Sequence, residues 1–81
     1  MEKDKRMKFN KVSKDYRQLN DYLRGELRRQ KISQEKLAYS LNITRASVSK
    51  KLTGNTDWTV WELLNVFEIL GINFDYGKEQ I

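Results

Sequence analysis

Apolar residues recur along this chain in three stretches with helical spacing, and each stretch is bounded by residues that start or stop helices. From about Asp15 to Gln30, Tyr16, Leu19, Leu23 and Leu27 fall every three or four positions, which predicts an amphipathic helix of about four turns. Gly25 sits inside it at a cost of about 1 kcal/mol relative to Ala, tolerable on an exposed face. Arg28, Arg29 and Lys31 complement the negative end of its dipole, and Ile32 closes the core beneath the following turn.

Ser33 and Thr44 each precede a short helical run and each supplies a hydroxyl oxygen that accepts an early backbone N–H. Between those runs Asn42 stands where the chain needs a left-handed residue, and the small Ala38 lets the two helices approach closely. Residues 33–54 thus predict two short helices joined by a tight turn. At about 100° per residue, Arg45, Ala46, Ser49, Lys50 and Thr53 of the second helix share one arc, whereas Val48 and Leu52 lie together outside it. One side of that helix is apolar and the other polar and basic.

After Gly54, Thr59 and Glu62 have the spacing of a capping box, predicting a helix that runs to about Leu70 and stops at Gly71. Val60, Leu63, Leu64, Phe67 and Leu70 are its expected inner stripe, Trp58 fills the core at the loop, and Trp61 points elsewhere, either packed or as a dimer anchor. In the tail, Ile72, Phe74 and Tyr76 alternate with polar residues, which suits a further turn of helix or an extended piece at a dimer contact. Residues 1–14 carry Lys3, Lys5, Arg6, Lys8, Lys11 and Lys14 among few apolar groups and read as a basic flexible arm, either following a phosphate backbone or only aiding solubility.

Composition narrows the function. The 81 residues suffice for one small domain, 15–81, behind the arm. With neither His nor Cys, the usual general bases, nucleophiles, thiolate metal sites and disulfides are missing. The four glycines form no phosphate loop of a common pattern, so no enzyme, cofactor, metal or small-molecule ligand is expected. No segment has the apolar run of an export signal or a membrane span, so a soluble, unexported protein is expected.

Charge says more through its distribution than through its net value of +5. Residues 1–55 carry 15 Lys and Arg against six Asp and Glu, a net +9, while residues 56–81 carry one against five, a net −4. A basic front on an acidic back orients a molecule toward a polyanion before any specific contact forms. A membrane surface fits poorly, because the basic residues do not flank one broad apolar face.

These residues also carry a resemblance. From Leu23 to about Phe74, the run Leu-Arg-x-x-Leu-Arg-Arg-Gln-Lys-Ile-Ser-Gln-Glu-Lys-Leu-Ala-x-x-Leu-Asn-Ile-Thr, followed by Val-Ser-Lys-Lys-Leu-x-Gly and a final helix, resembles the Cro and phage-repressor (XRE-type) helix-turn-helix family. Within it the chain is most similar to short regulators of phages of Gram-positive bacteria. The resemblance implies an all-α, lambda-repressor-like bundle of four or five helices. It also implies a transcriptional regulator that reads double-stranded DNA as a homodimer on a two-part operator. Gln34, at the start of the first motif helix, would hold a phosphate, with Thr44, Thr53 and Asn55 as further phosphate candidates. Arg45, Ala46, Ser49 and Lys50 match the family's outward positions and would read base edges. One departure is Lys51, where many family members carry an apolar residue. Two alternatives stay open: a helix-turn-helix used for protein contact, as in an antitoxin or anti-repressor, and an activator in place of a repressor.

Overall fold

A computed structural model describes the backbone of residues 2–73 and the side chains of residues 13–73. The described residues form helices α1 (Glu2–Arg29), α2 (Gln34–Leu41), α3 (Arg45–Leu52) and α4 (Val60–Leu70), with no strand among them. The fold is all-α, as the periodicity predicted.

Helix α1 is longer than its apolar stripe. It begins at Glu2, so the expected boundary at residue 14 falls inside a helix. The reason is local: residues 2–14 have no Gly or Pro, and five of the thirteen residues are Lys, which keeps most of its side-chain freedom in a helix. Glu2 and Asp4 also stand at the positive end of the dipole.

Each of the first two helices ends by the same device. The N–H of Ile32 donates to the Leu27 carbonyl at 2.9 Å past a left-handed Lys31 (φ 59), and that of Ile43 to the Ala38 carbonyl at 3.0 Å past Asn42 (φ 60). Asn42 therefore occupies the left-handed corner its type suggested. Lys31 does so too, and nothing in its side chain announces it.

The core draws on all four helices. Leu23 and Leu27 from α1, Leu37 and Ala38 from α2, Val48 and Leu52 from α3, and Val66, Phe67 and Leu70 from α4 are buried together with Trp58. In α4 the inner stripe differs from expectation. Val66 is fully buried, whereas Val60 is 74% exposed and Leu64 only half-buried. The run Val60–Leu70 fits two helical stripes, one through residues 60, 63, 64 and 67 and one through 63, 66, 67 and 70. Packing selects the second, leaving Val60 rotated by about 70° from its centre. Phe74 and Tyr76 of the tail lie outside the described residues.

Candidate nucleic-acid interface

Helices α2 and α3 meet through three residues, Asn42, Ile43 and Thr44, and both start on hydroxyl caps. Ser33 (φ −74, ψ 156) accepts the Lys36 N–H at 3.0 Å, and Thr44 (φ −80, ψ 157) accepts the Ser47 N–H at 3.0 Å. These caps satisfy backbone donors that the first turn leaves open. The turn is drawn in by Ala38 and Ile43, one buried and one half-buried, so α3 is seated firmly at its N-terminal end.

Val48 and Leu52 are fully buried, which fixes the rotation of α3. Arg45, Ala46 and Lys50 are consequently exposed and Ser49 is half-buried, all on the polar arc. Among the described residues the side chains of Arg45 and Lys50 make no ion pair and no hydrogen bond. Helix α3 carries no acidic residue in its first turn to neutralise them. The result is a short helix face whose cations are available to an external acceptor.

The expected phosphate-contacting residues divide in two. Gln34 is the first residue of α2, half-buried, and borders a hollow of about 170 Å³ with Arg24, Leu27, Arg28 and Ile32. Asn55 is exposed, and its backbone N–H donates to the Lys50 carbonyl at 2.8 Å, leaving its side-chain amide free of that bond. By contrast, the Thr44 hydroxyl donates to Ser47 Oγ at 3.0 Å, and the Thr53 hydroxyl donates to the Ser49 and Lys50 carbonyls at 3.0 and 3.2 Å. Each threonine's single hydroxyl proton is thus committed to the fold, and as they stand only Gln34 and Asn55 offer uncommitted donors.

Several residues that hold this face in place were not among those the sequence singled out. Arg24 of α1 donates to the carbonyl of Leu52, the last residue of α3, and pairs with Asp21. Asn20, 2% exposed, accepts the Trp58 indole N–H at 2.8 Å, and the Tyr16 hydroxyl accepts the Trp58 backbone N–H at 2.8 Å. Gln30 donates to the Leu70 carbonyl at 2.9 Å, joining the ends of α1 and α4. Their partners lie 28 to 42 residues away, so no local spacing announces them.

Lys51 had a signal, its departure from the resemblance, and the structure explains it. Its Nζ lies 3.0 Å from Glu62 Oε1 and 3.0 Å from the Asp57 carbonyl, 6.0 Å from the centroid of the Trp58 ring. Glu62 completes the expected capping box: its carboxylate accepts the Thr59 N–H at 2.9 Å while its own N–H donates to Thr59 Oγ1 at 3.0 Å. Burial raises the Glu62 pKa, but the Thr59 N–H and the Lys51 ammonium outweigh it and hold the carboxyl below its ordinary value. On α1, hydrogen bonds from Arg29 and then Gln30 hold the Glu26 carboxyl low as well. Arg29 is thereby occupied.

Among the described residues no group of three or more His, Cys, Asp or Glu is placed to hold a metal ion, and no helix is long and apolar enough to cross a membrane. Comparison of the chain with protein-family models, curated proteins and solved structures finds no match.

Proposed function

We propose that the protein is a sequence-specific double-stranded DNA-binding transcriptional regulator of the Cro and repressor kind, serving a phage or prophage in the bacterial cytoplasm. The observation that carries this reading is the exposed face of α3. Arg45, Ala46, Ser49 and Lys50 lie on it, and neither of its cations has a partner among the described residues.

In this reading α3 enters the major groove. The guanidinium of Arg45 donates two hydrogen bonds to guanine O6 and N7, Lys50 favours guanine as well, and Ala46 meets a thymine methyl. Gln34, with the backbone N–H groups opening α2, holds a phosphate and sets register without reading sequence. The net +9 of residues 1–55 draws the domain to the duplex. One such helix spans too few base pairs for a unique site, so two copies act on half-sites whose centres lie about 34 Å apart.

The test is selection of duplexes from a random-sequence library by the purified chain, followed by affinity measurements on the selected and a scrambled duplex at two salt concentrations. Arg45→Ala is expected to lose about 1–3 kcal/mol of discrimination between them. Gln34→Ala should weaken both duplexes alike. Affinity should fall with salt by a log-log slope of about −0.9 per phosphate neutralised. A flat salt response, or no selected sequence together with tight binding to a partner protein, would favour the protein-contact reading. Among the described residues Tyr39, Trp61, Val60 and Tyr22 are the exposed large apolar side chains available for such a partner.

A further inference from the structure

We infer that Lys51 is a positioning residue for base reading: through Glu62 and the Asp57 carbonyl it sets the angle of the last turn of α3, which carries Ser49 and Lys50. The inference rests on the DNA reading and extends it to a residue that touches no DNA.

Helix α3 has eight residues. Its N-terminal end is held by the Thr44 cap and the short turn from α2. Its C-terminal end is anchored in the core by Leu52 and is followed by residues 53–59 before α4 begins. Two cations link that end to other helices. Arg24 of α1 donates to the Leu52 carbonyl, and Lys51 extends to α4. One oxygen, Glu62 Oε1, receives both the Lys51 ammonium at 3.0 Å and the Thr59 N–H at 2.9 Å, so it ties the start of α4 to the last turn of α3.

Lys50 and Lys51 are neighbours in sequence with opposite fates. Lys50 is exposed and has no partner among the described residues. Lys51 is turned by about 100° from it, and its side chain is 13% exposed against 14% for Glu62. An ammonium so shielded persists only where its charge is matched, and two of its three donors are. The second lysine of the pair is thus withdrawn from the DNA-facing charge and spent on orientation. Two acceptors on different segments, Glu62 Oε1 and the Asp57 carbonyl, hold the one ammonium at once, which restrains the last turn of α3 more than a single contact would.

Two variants separate this role from direct phosphate contact. Lys51→Met keeps an unbranched stem against Trp58, and Glu62→Gln keeps a side chain able to complete the capping box. Circular dichroism verifies folding, and affinities for the wild-type-selected duplex and its scrambled counterpart are measured across salt. If Lys51 positions α3, each variant lowers the ratio of selected to scrambled affinity by about tenfold, roughly 1.4 kcal/mol, with an unchanged salt slope. If Lys51 contacts phosphate, Lys51→Met weakens both duplexes equally and reduces the slope by about 0.9. Glu62→Gln then removes the charge that holds the ammonium and tightens both, and the inference is overturned. It is equally overturned if the ratio stays at the wild-type value in both variants. Should Lys51→Met fail to fold, Glu62→Gln decides, because it leaves every cation in place. A wild-type chain that selects no sequence sinks the DNA reading itself, an outcome distinct from either variant result.

Discussion

Replacing Asn20 by Ala removes the acceptor of the Trp58 indole N–H and tests whether that buried bond anchors the loop between α3 and α4. Asn20 is 2% exposed and Trp58 7%, so water cannot easily replace the lost partner. A buried donor left unpaired costs about 1–3 kcal/mol. An 81-residue domain has a stability of about 4–12 kcal/mol at roughly 0.05–0.15 kcal/mol per residue. A loss of about 2 kcal/mol would therefore remove a sixth to a half of it, and at about 4–8 °C per kcal/mol would lower Tm by about 8–16 °C. Urea unfolding followed by circular dichroism supplies the free energy. A double-mutant cycle with Trp58→Phe isolates the bond from the packing that each truncation also removes, and should give a coupling of about 1 kcal/mol or more. The reasoning is refuted if Asn20→Ala costs under about 0.5 kcal/mol or if the two changes are additive.

Two further expectations concern stability. A Cβ built at Gly25 meets nothing within 4 Å, so Gly25→Ala should stabilise the domain by about 0.5–1 kcal/mol, read as a raised urea midpoint; a lowered midpoint would mean that a neighbour packs there after all. Because the Glu62 carboxyl is held below its ordinary value in the folded state, its contribution is present above the unfolded value of about 4.3 and is lost as pH falls through the lowered one. The stability gap between wild type and Glu62→Gln should accordingly narrow below about pH 4, and a gap constant from pH 6 to pH 3 would contradict it.

What could be read along the chain was read where the partners are three or four residues apart. Ser33, Thr44 and the Thr59 with Glu62 box cap helices where their spacing placed them, and Asn42 and Gly71 take the left-handed corners at φ 60 and φ 74. Val48 and Leu52 face inward for the same reason. The start of α1 at Glu2 lies outside its apolar stripe, so periodicity does not announce it. In α4, periodicity permitted two stripes and could not choose between Val60 and Val66.

Helix starts and stops, the turn at Asn42 and the polar arc of Arg45, Ala46, Ser49 and Lys50 follow from local residue order, because caps, left-handed corners and helical phase depend on atoms within one or two turns. Long-range packing selects which stripe of α4 is buried, brings the Trp58 indole to Asn20, and turns Lys51 away from its neighbour Lys50 to meet Glu62. Those outcomes depend on which distant surfaces share the core. A lysine's free energy in water and against a half-buried carboxylate differs by its surroundings, which the one-dimensional order of residues does not contain.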